Sequence, residues 1–597
     1  MSYQTLWKWS KNMKKFLNND KIMIKDKELK NYSIYDIYGR GLYIESLTVY
    51  DEDEYKGFIT SFEFALYKHG TIFKYKGKTQ KELVLLLSNL SKSKKIYSHY
   101  KKEIMVIFVK NLTQVKGFLQ NYITDDRNEK YFQVFDTIEF RDISCWLDTE
   151  DNAVSIAQNA NELINTVFIP EKFFYITPNQ RPRKLIKKAM GDTVKFVRNE
   201  LMPKSEHEYI KDREALYAGV IFDTLREYTY RPKNGIDLMY IDLTSAYPYA
   251  MIYKKHPMEK LKSVNPKDYK KYNNDENYFT IGTYMLTYTN GDRKLQVYKM
   301  EYNNEEEITE VKTLCGRDLN TISKLCDRIE IKCLELRVAK VDYLPKEIIW
   351  VISDAYEKKQ SLKGQGNAYE LSKKVVNGIS GDLSRKPMFN IDINGKILSD
   401  VATKESFKKN YKKFLKDNCI FSMYWGISVL SIVREILVET AIKTNAIYGD
   451  TDGLFLYAYK ENIDYINDYN NKVYKETIAL DLIGLSGLGQ FKVECQNIQK
   501  FKSFNIKTYA YCTKDKLTTR IAGMKRDAQN TIGMEVFDDG YELKYASMTV
   551  REVKGGKIKY KDLESDGYYV EYQKNRLDAR ECLQLKLKTI KGKIVTY

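Results

Sequence analysis

The sequence predicts an α/β and α+β multidomain chain, and three observations lead there. At 597 residues the chain exceeds what one hydrophobic core usually organises, so two or more domains with cores of their own are expected. Its N-terminal third, residues 1–203, mixes short apolar strand-like runs such as 57–66 with amphipathic helical stretches such as 81–90. The remainder carries strand-like runs at 278–284, a helical stretch at 371–385 and, past Met524, alternating runs at 541–545 and 557–560 joined by Gly555-Gly556.

Composition narrows the class. Lys and Arg number 98 against 80 acidic residues, and the net charge of +18 suits a chain that lies along a polyphosphate. A Lys-rich soluble protein of AT-biased coding, with 49 Tyr, would share that balance. The 8 cysteines form no Cys-x-x-Cys pair and no zinc spacing, which predicts reduced thiols in a cytosol. The residues after Met1 show no apolar core of signal length, and no window approaches the ~20 apolar residues of a membrane span. A soluble, cytoplasmic protein without a membrane partner is expected. The 10 prolines cluster into no linker, and no internal repeat is evident.

The elements rest on period and punctuation. Polar residues at 203–212 separate the first domain from the rest of the chain. Met239-Tyr240-Ile241-Asp242-Leu243 reads as an apolar strand ending at one Asp, and Thr244-Ser245-Ala246-Tyr247-Pro248 as its turn into a helix. The stretch from Met251 to Lys373 is longer than one connection needs, so an insertion is expected. Lys373, Asn377 and Gly381 follow at four-residue spacing and share one helix face. Asn394-Gly395, inside 389–398, is a two-residue hairpin signal. Tyr448-Gly449-Asp450-Thr451-Asp452-Gly453, between Ile447 and Leu454-Phe455-Leu456-Tyr457, reads as two carboxylates at a hairpin turn.

Residues two apart on an extended chain point the same way, so Asp450 and Asp452 can offer paired oxygens to a hard cation such as Mg²⁺. Alone, that string is more often an ordinary Asp-Gly turn. A calcium loop would need a ligand and a glycine where Leu454 and Phe455 stand. Asp242 supplies a third carboxylate from a separate segment, which two-metal phosphoryl transfer requires, its cations lying about 3.5–4 Å apart. A cation, an amide and a bare backbone patch on one helix face suit a nucleotide whose triphosphate meets Lys373. In isolation that helix would read as a solvated Lys beside an unremarkable Asn.

In this order and spacing the three sites resemble the motifs of family-B DNA polymerases: Asp-x-x-Ser-Leu-Tyr-Pro, Lys-x-x-x-Asn-Ser-x-Tyr-Gly and Tyr-x-Asp-Thr-Asp-Ser. Tyr217-Ala218-Gly219, Lys507-Thr508-Tyr509 and Ile521-Ala522-Gly523-Met524 narrow the resemblance to the protein-primed branch of small bacteriophages and linear plasmids. It spans residues 135–560, dense at the motifs and thin in the N-terminal third.

The resemblance implies an N-terminal ribonuclease-H-like exonuclease-type domain (1–203) followed by a right-hand polymerase domain with two terminal-protein-region insertions. The order would be palm (204–258), insertion 1 contacting a priming protein (259–349), fingers (350–385), insertion 2 serving strand displacement and processivity (386–418), palm (419–523), then thumb and C-terminal extension (524–597). Plain surface elaboration is the alternative for both insertions.

It implies Asp242 and Asp452 as metal ligands, with the Leu243 carbonyl assisting and Asp450 as a supporting carboxylate. Ser245 and Asn377 belong to the nucleotide site, Tyr247 would lie under the sugar and exclude a 2′-hydroxyl, and Lys373, with Lys358, would grip the triphosphate. Tyr217, Gly219, Lys507 and Tyr509 would contact DNA and the primer end. The cofactor would be two Mg²⁺ ions, with Mn²⁺ as a substitute. The partners would be a DNA template-primer, deoxynucleoside triphosphates and a terminal priming protein in a bacterial host cytosol.

Four residues depart from the family pattern: Gly378, Ser380, Gly453 and Val220. In the N-terminal domain the departures go further. Ile104 stands where the second exonuclease motif would place a metal-binding Asp, with Glu103 the nearest carboxylate; the first motif has only Asp51-Glu52-Asp53; the third keeps Asp192 but has Lys188 in place of a Tyr. Loss of exonuclease chemistry is expected, the alternative being a second motif elsewhere in a divergent region. Two further readings stay open: a specialised low-fidelity or untemplated DNA-synthesising polymerase, for example in host defence, and an inert DNA-binding relic. Erosion that spared Asp242, Asp450 and Asp452 argues against the relic.

Overall fold

The computed structural model describes residues 34–289, 307–383, 411–521 and 529–541 apart from short breaks, of which 169–179 is the longest, together with isolated strands within 549–584. Expectations on Asp53, Ala522-Gly523-Met524, the 389–398 hairpin, insertion 2 over 386–410 and most of 542–597 lie outside the described residues. The chain divides into two compact units, one of residues 1–185 with 350–379 and one of 186–349 with 380–597. It is a mixed α/β protein.

The first unit is built on one mixed sheet. Strands β1 (Gly39–Asp51), β2 (Glu54–Lys68) and β3 (Thr71–Gly77) form an antiparallel meander. Then come β4 (Lys101–Val109), β5 (Ile123–Asn128), β6 (Tyr131–Val134) and β7 (Ile138–Asp142), in the spatial order β3-β2-β1-β4-β7-β6-β5. The β1/β4 and β4/β7 pairs are parallel. Residues 104–109 of β4 are buried without interruption, as a central parallel strand requires. Alternate side chains serve opposite cores: Met105, Ile107 and Val109 join Leu42, Phe62 and Leu83, whereas Val106 and Phe108 join Trp146 and Ile156. Each fully buried side chain of this size contributes about 1.5–3 kcal/mol.

Three helices complete that layer. Helix α1 (Gln80–Lys92) is capped by Thr79, whose side chain accepts from the Glu82 amide, and buries Leu83 and Leu87. Helix α2 (Leu112–Phe118) is capped in the same way by Asn111, accepting from Gln114. Helix α3 (Ala153–Leu163) presses an alanine face onto β1, so closely that a Cβ on Gly41 would lie 2.4 Å from the Ala153 carbonyl oxygen. Only glycine allows that approach.

The second unit centres on a five-stranded antiparallel sheet. Strand β8 is Val220–Asp223 and β9 is Leu238–Leu243, after which helix α4 (Ala246–Tyr253) follows directly. A separate sheet comprises β10 (Tyr278–Thr289), β11 (Ile308–Cys315) and β12 (Arg328–Asp342), with helix α5 (Gly316–Leu325) between the last two. Helix α6 (Lys346–Ser361) then runs from the second unit into the first, and α7 is Asn367–Leu383. The start of α7 precedes the expected residue 371 because Gly364 and Gly366, at φ +84° and +53°, end the turn just before Asn367.

Helix α8 (Met423–Lys443) is apolar almost throughout and largely buried. It leads to the hairpin of β13 (Tyr448–Thr451) and β14 (Gly453–Tyr457), then α9 (Lys460–Ala479) and β15 (Phe491–Ile498). The central sheet has the order β8-β13-β14-β9-β15. A three-stranded sheet of β16 (Lys500–Asn505), β17 (Thr508–Cys512) and β18 (Leu517–Ile521) follows. Among the described residues no helix is long and apolar enough to cross a membrane.

Candidate active site

Register sets where the three Asp residues stand in the sheet. Gly453 on β14 pairs with Asp450 of β13 on one side and with Asp242 of β9 on the other. Residues in register across a sheet present their side chains to the same face, so Asp450 and Asp242 flank Gly453 at roughly two strand spacings, about 9–10 Å between backbones. Asp452 sits in the hairpin turn, and its carbonyl oxygen accepts from the Leu243 amide at 2.8 Å. That bond brings the backbones of Asp452 and Leu243 side by side.

The turn itself is unusual. Thr451 has φ +64°, and the Asp452 amide donates to the Asp450 carbonyl at 2.7 Å, an i→i+2 bond that makes a γ-turn. A β-branched residue with positive φ is costly, of order 1–3 kcal/mol, and such strain gathers at functional sites. Ser245, between β9 and α4, has φ +48° and so adds a second left-handed residue next to Asp242. The loop before β15 holds this turn: the Thr244 amide donates to the Gln490 carbonyl at 2.9 Å, and the Gly489 amide to the Thr244 carbonyl at 2.9 Å.

Around the carboxylates stand several of the expected contacts. The Asp450 carboxylate accepts from the Thr451 hydroxyl at 3.0 Å and lies 3.7 Å from Lys507 Nζ. Lys507 is exposed at the β16–β17 turn with φ +56°, and its amide donates to the Tyr448 hydroxyl at 3.0 Å. Tyr509, two residues on, is buried beneath that turn in an aromatic cluster with Tyr448, Phe455 and Phe501. Burial first, then the Asp450 charge, raises its hydroxyl pKa.

Tyr247, in the first turn of α4, is half-buried, and its hydroxyl pKa is pushed up to about 12 by burial and by the charge of Asp452, against the opposing charge of Arg434. A Cβ on Gly219 would lie 3.2 Å from Thr451 Cγ2 and 3.3 Å from the Tyr247 hydroxyl, so Gly219 lies beside the hairpin turn. Tyr217 is held by Arg434 of α8, whose Nη1 donates to the Tyr217 carbonyl at 2.7 Å. Arg434 is fully buried and paired with Asp318 of α5 through bonds of 2.9 and 2.7 Å.

Tyr240 and Arg434 were not expected from sequence. Tyr240 precedes Asp242 by two on β9 and shares its face; burial, and then the charges of the nearby Tyr509, Asp242, Asp452 and Asp450, raise its hydroxyl pKa. Period two could have found it. A lone arginine in the apolar run 423–443 was the signal for the other.

Of the residues expected at a nucleotide site, Lys358, Lys373 and Asn377 belong to the first unit, and Gly381 lies just past its boundary. Lys373, Asn377 and Gly381 are exposed on one face of α7, and Lys358 is half-buried on α6. The exonuclease candidates fall in both units. Ile104 is buried within β4, Asp51 ends β1, and Glu103 pairs with Lys94 at 3.4 Å. Asp192 and Lys188 belong to the second unit; Asp192 is exposed and pairs with Lys195 at 2.8 Å. Opposite the middle of β1, Gln114 of α2 donates to the Ser46 hydroxyl at 2.8 Å. Nearby carboxylates are engaged, Glu45 by the Ser61 hydroxyl and Asp151 by Lys110. Among the described residues no three His, Cys, Asp or Glu side chains form a ready metal cluster.

No protein-family profile matches the chain, and no curated protein matches it in sequence. Solved structures do. It is similar to Phi29 DNA polymerase complexed with primer-template DNA, in a post-translocation binary complex, with TM-score 0.59 and 14% identity over 85% of this chain and 96% of that one. The ternary complex of Phi29 DNA polymerase with primer-template DNA and incoming nucleotide substrates gives TM-score 0.57 and 14% identity over 89% and 99%. The complex with single-stranded DNA gives 0.58 and 13% over 85% and 96%. At such identity the likeness is one of fold: this mixed α/β chain shares the architecture of Phi29 DNA polymerase over most of both lengths.

Proposed function

We propose that the chain is a DNA-directed DNA polymerase that adds deoxynucleotides to a 3′ end by two-metal phosphoryl transfer. The observation that carries this reading is the junction of β9 with the β13–β14 hairpin, where Asp242 and Asp452 stand on hydrogen-bonded neighbouring backbones. Their oxygens and the Leu243 carbonyl are hard donors, too few to enclose a cation. That suits Mg²⁺, which keeps part of its shell for water and substrate phosphate, and Mn²⁺ accepts the same oxygen donors. When bound, two such ions lower the pKa of the primer hydroxyl and stabilise charge on the transferring phosphate.

The remaining roles follow from what each side chain offers. Asp450, already engaged by Thr451 and Lys507, supports the ligand pair. The Tyr247 ring underlies the sugar and excludes a 2′-hydroxyl by size. Ser245 shapes the turn between Asp242 and that ring. Lys373, with Lys358, meets the triphosphate by charge, and Asn377 lies beside Lys373 on the same face. Lys507 and the Tyr217–Gly219 segment contact the primer strand, with Tyr509 supporting the Lys507 turn from beneath. The net charge of +18 favours a template-primer partner. Priming by a terminal protein through residues 259–349 is the narrower reading that the resemblance adds.

The first unit supports a ribonuclease-H-like domain without nuclease chemistry. Its meander is followed by two strands parallel to the first, in the order β3-β2-β1-β4-β7, while the Gln114 amide of α2 meets the Ser46 hydroxyl in the middle of β1. Primer extension with purified protein tests the whole reading: with Mg²⁺ or Mn²⁺, extension should follow the template sequence. Extension that ignores the template would favour the untemplated alternative, and none under either metal would leave the inert relic.

A further inference from the structure

We infer that the N-terminal sheet domain is the positioning platform for the nucleotide-gripping helix α7, and that Asn159 and Glu162 of α3 are positioning residues for nucleotide binding. The inference rests on the reading of α7 as the nucleotide helix. Its ground is a row of contacts along one side of α7. At the start of the helix, the Asn367 carboxamide donates to Asn159 Oδ1 at 3.0 Å and to Glu162 Oε2 at 3.0 Å, using both of its N–H groups. One turn on, Leu371 is fully buried in the core of Val106, Phe108, Trp146 and Ile156. Another turn on, Lys374 Nζ donates to the Trp146 carbonyl at 2.6 Å.

Spacings of four and three residues place these contacts on one stripe. Leu371, Val375 and Ile379 are buried, whereas Lys373, Asn377 and Gly381, each two residues further on, are exposed. Two residues advance about 200° round a helix, so anchoring and nucleotide faces oppose each other. Residues 350–379 accordingly cluster with 1–185 rather than with the segments that flank them in sequence. A helix held by its back presents Lys373 and Asn377 in one orientation. Loosened, it would populate that orientation only part of the time, and apparent nucleotide affinity would fall by the populated fraction. This gives the domain a task that needs no nuclease carboxylates.

The test is single-nucleotide incorporation by the full chain, comparing wild type, Asn159→Ala/Glu162→Ala, Glu162→Gln and Lys373→Ala. Both α3 positions are half-buried and polar, so the fold should tolerate these changes, and circular dichroism checks it. The double variant should raise the nucleotide KM roughly tenfold with kcat little changed. Primer-template affinity should stay within about twofold of wild type, because the changes remove no cationic side chain. Amides of residues 367–383 should exchange faster with solvent, and Glu162→Gln, which keeps an acceptor for Asn367, should behave as wild type. An unchanged KM in the double variant, with Lys373→Ala raising it, would overturn the inference and leave the polymerase reading intact. An unchanged KM in Lys373→Ala as well would instead show that α7 is not the nucleotide helix, and the inference would fall with that reading.

Discussion

A Cβ at Gly453 would lie 2.4 Å from the Tyr240 hydroxyl and 2.5 Å from its ring, so the tyrosine occupies the space a side chain would need there. The motif that the sequence resembles has Ser at this place, where the Tyr240 ring leaves no room for a side chain. Gly453→Ser alone should lose about 1–3 kcal/mol through overpacking. Tyr240→Val should relieve the clash, so a double-mutant cycle by thermal melting should give a favourable coupling, whereas additive losses would mean the ring moves aside freely. Tyr247 makes a separate prediction. Tyr247→Val removes the bulk beneath the sugar, so single-nucleotide assays should show ribonucleotide incorporation rising by at least about tenfold, on the scale of one lost steric contact. Unchanged discrimination would make Tyr247 a packing residue.

Among the elements, α4 and α8 are joined by a buried histidine. His256 Nε2 lies 2.9 Å from the Ala250 carbonyl oxygen and Nδ1 lies 3.0 Å from the Ser428 hydroxyl. A carbonyl only accepts, so Nε2 carries the proton and neutral Nδ1 accepts from the serine. Burial pushes the His256 pKa down to about 4. The unfolded chain, near the ordinary 6.5, therefore binds the proton first as pH falls. Stability is full above pH ~6.5 and is lost by about 3 kcal/mol as pH falls to 4. Denaturant unfolding at these pH values should show that loss in wild type and a smaller one in His256→Gln; parallel pH dependences would contradict it. Much of this layer was legible. The β9 strand, the β13–β14 hairpin and the helical face of Lys373 and Asn377 follow from local period and an Asp-Gly turn. The loop that grips Thr244 was not legible, because hydrogen bonds to distant Gly489 and Gln490 create it; the γ-turn at Thr451 was not, because it sets a β-branched residue at positive φ, against local preference.

At the scale of the molecule, sequence indicated an α/β N-terminal third but not which strands pair. The resemblance sets Ile104 where a metal-binding Asp would stand, and the sheet buries it in β4, a strand that pairs with β1 across more than fifty residues. The bond between α7 and α3 was equally hidden, since no local pattern announces a contact between segments two hundred residues apart. The same sheet predicts that proofreading is absent. A 3′-labelled mismatched primer with Mg²⁺ and no nucleotides should stay intact even at enzyme excess, because hydrolysis by this logic needs paired carboxylates. Rapid trimming that is lost on changing Asp51 would show the domain to be active. The decisive measurement is templated primer extension with Mg²⁺ by wild type, Asp242→Asn and Asp452→Asn, with primer-template affinity measured in parallel. Wild type should extend the primer, each variant should lose at least about 10³-fold in rate, and DNA affinity should stay within a few-fold of wild type. Extension at wild-type rates by both variants would contradict the assignment of Asp242 and Asp452 as the metal-holding pair.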